Sequence, residues 1–220
     1  MSEIDNQRVK AGISLYSKSF LSVYDWVALG FNLRFLWKCP SGNLLNLYNK
    51  YVSGNHLDIG VGTGYFMDRC KFPSQNPRIT LMDLNKNSLE VARKRLARYD
   101  PQVYIGNALE KLNTNNQTYD SIGMMNLLHC LQGDMSTKGI VFHNADEILN
   151  PGGIIFGSTI MSKGVKHNPF AAMNLKICNH KGIMANLEDD IEVLRSNLNG
   201  KFSDSSVETI GSIALFWAKK

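Results

Sequence analysis

The chain has no pair of cysteines at CxxC spacing. Its four cysteines, Cys39, Cys70, Cys130 and Cys178, stand far apart, which argues against a zinc knuckle, a redox dithiol and a dense disulfide framework. Buried free thiols are the simpler reading, and no metal site is expected. A membrane-length apolar run is missing too: the most apolar early stretch, FLSVYDWVALGF, is interrupted by Asp25 and is too short to span a bilayer. The first ten residues, MSEIDNQRVK, are polar and carry both charge signs, which does not suit a secretory signal. A soluble cytoplasmic protein without stable membrane insertion is therefore expected, as a monomer or homodimer. There is no internal repeat and no low-complexity tract, which excludes solenoid and array architectures. The formal charge of +5 comes from dispersed residues. Its densest cluster, Arg93, Lys94, Arg95 and Arg98, falls within one expected helix, where a solvated helix face and a nucleic-acid docking face both fit. The solvated face is the simpler reading, so no nucleic-acid partner is expected.

What is present is ordinary globular material. In 220 residues, 44% are hydrophobic and 20% charged, enough for a single domain with a sizeable core. From about residue 55 onward, short β-branched runs alternate with stretches of helical period, the signature of an α/β domain with a parallel sheet. The expected strands are 56–59, 78–84, 103–105, 120–125 and 153–158. A helix follows the second strand, capped by Asn85 or Asn87, with Leu89, Ala92, Leu96 and Tyr99 near one face and Pro101 closing it. Another is expected over 138–149, where LNPGG supplies the stop and the turn into the next strand. A third is expected to begin near Asn186, with Glu188, Asp189 and Asp190 in its first turn, where the helix dipole favours negative charge. VETIG and SIALFWA, almost adjacent, fit two antiparallel strands. Residues 1–55, with Tyr16, Phe20, Tyr24, Trp26, Phe31, Phe35 and Trp37 at helical spacing, are expected to form a helical cap on the α/β core of 56–220. The irregular 162–186 segment, which holds His167, Asn168, Asn179 and His180, follows a strand's carboxyl end, where such sheets place their binding crevice.

The motif HLDIGVGTG, residues 56–64, carries the chemistry. Gly60, Gly62 and Gly64 fall in the turn from the first strand into a helix, where a side chain would hold a ligand away from the backbone. The spacing fails the dinucleotide pattern GxGxxG, because Tyr65 stands one residue beyond the last glycine, and no GK[ST] follows to make a phosphate loop. Asp58, just ahead of the turn, would repel a pyrophosphate but can accept hydrogen bonds from an ammonium group. Asp83 closes the strand RITLMDL, and an acid at that position can accept both hydroxyls of a ribose. Ribose plus ammonium points to a nucleoside joined to an amino acid.

With these residues the sequence resembles the class I S-adenosylmethionine-dependent methyltransferases of the small-molecule type. HLDIGVGTG is similar to their first motif and LMDLN to their second. The resemblance implies a Rossmann-like, seven-stranded, mostly parallel sheet with its last strand antiparallel, and S-adenosylmethionine as cofactor. It implies that Asp58 and the backbone of Gly60, Gly62 and Gly64 contact the methionine part, that Asp83 holds the ribose and that Leu84 packs beside the adenine. In GNALE, Asn107 and Ala108 stand where the family often has an acid next to a small residue, so acceptance of the adenine amino group would rest on the Asn107 amide oxygen. YDSIGMMNLLHCL resembles the fourth strand, which places Asn126 beside the cofactor and His129 a few residues on. YDWVALGFNLRFLWK is loosely similar to the stretch preceding the cofactor domain in ubiquinone and menaquinone methyltransferases, and this singles out Tyr24 as a residue that closes over the cofactor.

Methyl transfer is an in-line displacement that asks chiefly for alignment and exclusion of water. For a hydroxyl acceptor a base helps; His129 is the candidate, with a structural histidine at a helix start as the competing reading, and His167 is ambiguous in the same way. No NPPY-like stretch follows the fourth strand, which lowers the case for methylation of DNA bases or glutamine amides. The aromatic N-terminal region suggests a flat or apolar small molecule, methylated at oxygen, nitrogen or carbon. The alternatives are an RNA or protein methyltransferase docking through the 93–98 helix, and a non-catalytic partner subunit that keeps the cofactor fold.

Overall fold

The computed structural model describes residues 25–220. Seven strands form one sheet in the order β3-β2-β1-β4-β5-β7-β6: β1 (Asn55–Ile59), β2 (Arg78–Asp83), β3 (Gln102–Ile105), β4 (Tyr119–Met125), β5 (Leu149–Ile160), β6 (Asp204–Ile210) and β7 (Ile213–Lys219). β1 pairs in parallel with β2 and β4, and β2 with β3 and β4 with β5 likewise. β7 runs antiparallel to both of its neighbours, β5 and β6. The expected sheet, with its last strand reversed, is therefore observed. The chain leaves β1 towards β2 and β3, then returns to the other side of β1 for β4 and β5. That reversal opens a crevice at the carboxyl ends of β1 and β4, where open α/β sheets bind ligands.

Helices cover both faces. α1 (Asp25–Leu36, a wide π-type helix), α2 (Ser41–Tyr51), α3 (Tyr65–Arg69), α4 (Lys86–Arg95) and α7 (Pro169–His180) contribute Leu33, Leu44, Phe66, Leu89 and Leu175 to one core. α5 (Met135–Lys138), α6 (Ile140–Glu147) and α8 (Ile191–Asn199) contribute Met135, Phe142 and Leu194 to the other. β1 and β4, covered on both sides, are almost wholly buried, while the edge strands β3 and β6 are not.

Four expectations need correction. The helix placed over 138–149 is the shorter α6: Lys138 ends the separate helix α5, Gly139, where a β-carbon would lie 2.9 Å from Asn197, divides the two, and Leu149 already belongs to β5. LNPGG is not a turn before a strand but the start of β5 itself, taken up by a register shift opposite 119–121. The acidic triplet does not fill a helix's first turn: α8 starts at Ile191, Asp190 caps it by accepting the Glu192 N–H, and Asp189 is fully buried on Lys138. The segment 162–186 is not irregular throughout, because Asn168 caps α7 by accepting the Ala171 N–H and Pro169 begins the first turn.

Candidate active site

β1 delivers the chain into the glycine turn, where Gly60 donates its N–H to the Met82 carbonyl at 2.8 Å. Gly60, Gly62 and Gly64 all have positive φ, at 74°, 54° and 73°, a conformation that any β-carbon would strain. Their surroundings differ. A β-carbon on Gly60 would lie 2.6 Å from Leu127, and one on Gly64 would press on Ala92 of α4 at 3.2 Å. At Gly62 nothing lies within 4 Å. Gly64 thus lets α4 pack closely, and Gly62 leaves backbone open to the crevice.

The crevice is a cavity of about 380 Å³ lined by Asp58, Gly60, Gly62, Gly64, Asp83 and Leu84, and further by Asn107, Ala108 and Asn126. Nine cofactor residues expected from the sequence therefore meet at one cavity; the tenth, Tyr24, lies outside the described residues, as do Tyr16 and Phe20.

Asp58 is held from behind. The Tyr48 hydroxyl of α2 donates to Asp58 Oδ2 at 2.7 Å and lies 2.7 Å from His56 Nε2. His56 Nδ1 lies in turn 2.8 Å from Ser121 Oγ on β4. All four residues are buried, and Gly123 of β4 makes room for them: a β-carbon there would sit 2.9 Å from Asp58 Oδ2 and 3.1 Å from the His56 ring. Burial, with the Asp58 charge adding to it, pushes the Tyr48 hydroxyl well above its ordinary pKa, so it stays protonated and keeps donating.

On β2, the strand beside β1, Asp83 Oδ1 accepts the Asn85 N–H at 2.8 Å. Burial raises its carboxyl to about 6, against a lowering pull from the Asn85, Gly62 and Val61 N–H groups. Leu84 beside it is exposed. The Asn107 amide is already engaged: Oδ1 accepts the Leu109 N–H at 3.1 Å and Nδ2 donates to Glu110 at 3.0 Å. Ala108 is buried, its carbonyl accepting from Asn144. Asn126, at φ 54°, is fixed by Ser158, which donates to Asn126 Oδ1 at 2.9 Å.

His129 is not among the cavity-lining residues, although Cys130 and Leu131 are. It is buried against β5, where its Nδ1 accepts the Ile160 N–H at 3.3 Å. Burial, with Lys138 nearby, lowers its pKa to about 3. His167 also stands outside the lining and bonds Ser162 and Ser212. Among the described residues, no cluster of His, Cys, Asp and Glu is arranged to hold a metal ion, and none of the four cysteines is in a disulfide.

Sequence reasoning missed two parts of this site. One is Tyr48, whose contact with Asp58 joins a helix to a strand and has no motif to announce it. The other is a clamp from α1 onto the glycine turn: Thr63 Oγ1 donates to Asp25 at 2.5 Å, and Arg95 reaches both Thr63, at 3.0 Å, and Asp25, at 2.8 Å. Its signals were a hydroxyl inside GVGTG and an acid in the YDW stretch.

Residues 57–155 match the family described as a methyltransferase domain. The chain is 37% identical over 213 residues to demethylluteothin O-methyltransferase of Streptomyces thioluteus, covering 97% of this chain and 93% of that one. It is 36% identical over 211 residues to the physcion biosynthesis cluster O-methyltransferase of Aspergillus chevalieri, covering 95% of each. Its fold is similar to that of the N-methyltransferase NodS from Bradyrhizobium japonicum WM9 in complex with S-adenosyl-L-homocysteine, with a TM-score of 0.60, 16% identity, and 92% and 97% of the two chains covered.

Proposed function

Because the chain belongs to the class I S-adenosylmethionine-dependent methyltransferases and methylates a small molecule, we propose that its acceptor atom is a hydroxyl oxygen on an apolar, aromatic metabolite. The observation that carries the choice of oxygen is the 37% identity, over nearly the whole of both chains, to an enzyme named as an O-methyltransferase. The cavity supports the choice of an apolar acceptor: Leu29, Leu131 and Ile183 line it together with the uncharged Gln132 and Thr137.

Bound in this cavity, S-adenosylmethionine supplies an electrophilic methyl group. The residues present suit it. Gly62 leaves open the backbone approach that a β-carbon would fill. Asp58 offers a carboxylate to the α-ammonium group, Asp83 offers two acceptor oxygens to the ribose hydroxyls, and Leu84, Asn107 and Ala108 serve the adenine, with Asn126 on the same lining. α1, which puts Leu29 into the lining and ties Asp25 to Thr63 of the glycine turn, acts as the lid over them. A phenolic or enolic acceptor enters as its oxyanion, its proton released to solvent beforehand, so the chain's own work is to align that oxygen and exclude water. We assign His129 a bracing role in place of the general base expected from the sequence: with Nδ1 occupied by the Ile160 N–H, it holds the turn after β4 onto β5.

The proposal places the reaction in the cytoplasm, in a monomer or homodimer, without a nucleic-acid partner. Three residues of the basic cluster support the last point, since Lys94, Arg95 and Arg98 pair with Glu90, Asp25 and Asp68. A docking face for phosphate would need those charges unspent.

The test is methyl transfer to a panel of small phenols, enols, amines and thiols, with product identified by mass spectrometry. Methyl ethers should form; transfer confined to amines or to bulk RNA would refute the reading. In the same assay His129→Gln, whose amide can still accept the Ile160 N–H, should keep kcat within about threefold, a loss near the scale of one altered hydrogen bond. A drop of about a hundredfold or more, with cofactor affinity intact, would return His129 to the chemistry.

Asp83 gives a pH prediction with a definite sign. Its carboxylate is the form that accepts two hydroxyls, and with its pKa raised to about 6 it protonates as pH falls through that value. Cofactor affinity should be constant above pH about 7 and decline below pH about 6. Asp83→Ala should remove this pH dependence and weaken binding by about 1–3 kcal/mol. Calorimetric titration across that range checks both, and a flat profile for the parent protein would contradict the ribose role.

A further inference from the structure

We propose that the face formed by α1 and α7 docks on an anionic lipid surface, with the cavity mouth turned towards the source of an apolar acceptor. The docking claim stands on surface chemistry; only the delivery of the acceptor rests on the reading of an apolar substrate.

α7 is apolar on two sides. Ala171 and Leu175 face the core, yet Phe170, Met173 and Ile177 are 71%, 57% and 42% exposed. At positions i, i+3 and i+7 they form one outward row. α1 repeats the pattern: Leu29 and Leu33 are buried, while Val27, Phe31 and Phe35 are exposed at i, i+4 and i+8, with the Phe31 and Phe35 rings 5.0 Å apart. The two helices adjoin, since Asn168, at the start of α7, donates to the Leu36 carbonyl at 2.8 Å and their inner faces share one core cluster. Both reach the cavity, whose lining includes Leu29 from α1 and Gly182 and Ile183 directly after α7.

Cationic side chains border these rows among the described residues. Arg34, Lys38, Lys166, Lys176 and Lys181 are exposed on or beside the two helices, with His180 between the last two. No aspartate or glutamate occurs from 162 to 187. Among the described residues, Asp25 on α1 pairs with Arg95, and Glu188, just beyond this segment, pairs with Lys163. An amphipathic surface with apolar rows and a cationic border is the composition that binds anionic bilayers in the interfacial plane. A second copy of the chain fits it less well, because an isologous contact would bring Lys176 and Lys181 against like charge. Nucleic acid would satisfy the cations and leave Phe170, Met173 and Ile177 without a place to bury.

The experiment is flotation of the full chain with vesicles of phosphatidylcholine alone or mixed with phosphatidylglycerol. Anionic lipid should raise partitioning at least about tenfold, with loss as salt increases. Two double variants, Phe170→Ser with Met173→Ser and Lys176→Glu with Lys181→Glu, alter only exposed side chains, and thermal melts should confirm that they fold. Each should lower partitioning about tenfold. Equal binding to neutral and anionic vesicles, no binding, or partitioning unchanged in the variants would overturn the proposal. So would concentration-dependent self-association that the apolar variant abolishes while vesicle binding persists.

Discussion

Asp189→Ala should lower the free energy of unfolding by about 3–5 kcal/mol, because it strands a buried lysine. Lys138 and Asp189 are both fully inaccessible to solvent, and Lys138 Nζ donates to both carboxylate oxygens, at 2.8 and 2.7 Å, and to the Ala185 carbonyl at 2.8 Å. Burial works against both charges. It raises the Asp189 carboxyl to about 6 despite the pull of Lys138, and it lowers Lys138 despite Asp189. The pair therefore does not gain from being buried as ions. What it fixes is position: the Asp189 backbone carbonyl accepts the Ser162 and Lys163 N–H groups at the end of β5, and the Lys138 bond to Ala185 holds the loop that carries Gly182 and Ile183 to the cavity. The double variant Lys138→Met with Asp189→Leu should accordingly be far less destabilised than Asp189→Ala in urea titrations, while KM for the acceptor rises in both. If the two variants were equally unstable, the cost would lie in packing and not in an uncompensated charge.

The second large effect concerns Asp58. Asp58→Ala should weaken S-adenosylmethionine binding by about 1.5–3 kcal/mol, roughly 10- to 150-fold in Kd, the range of a hydrogen bond to a charged group. The fold should survive, because Tyr48 and His56 keep their mutual bond and His56 keeps Ser121. Tyr48→Phe leaves the carboxylate in place but removes the donor that aims it, and should cost about 0.5–1.5 kcal/mol, up to about tenfold. The graded pair separates charge from aim. Equal losses in the two variants would mean that the whole Tyr48, His56 and Asp58 cluster acts through packing, and no loss in either would remove Asp58 from the site.

Local motifs were the legible part of this molecule. HLDIGVGTG and LMDLN combine a strand, a turn and an acid within a few residues, so their chemistry can be read without tertiary information, and Asp58, Asp83 and the glycines meet at one cavity as expected. The parallel sheet followed from the alternating elements and the antiparallel pair from the close C-terminal strands, whereas the strand order needed the fold. Features that depend on distant partners were not legible. Asp189 looks like a helix-start acid because it neighbours Glu188 and Asp190, and only the fold brings Lys138 to it. Tyr48 sits in an unremarkable amphipathic helix until β1 is laid beside it. His129 carries the right side chain a few residues after β4, but a short turn directs it into the core against Ile160. The three glycines look equivalent in sequence, whereas Gly64 faces Ala92 and Gly62 faces open space.

In the binding mode proposed above, S-adenosylmethionine lies in the cavity with its amino-acid end at Asp58 and its ribose at Asp83. A crystal structure of the complex with S-adenosylhomocysteine tests it most directly. Both ribose hydroxyls should lie within hydrogen-bond distance of the Asp83 carboxylate, and the α-ammonium group at Asp58, against the open backbone at Gly62. A ligand bound in the opposite sense, or outside this cavity, would contradict it.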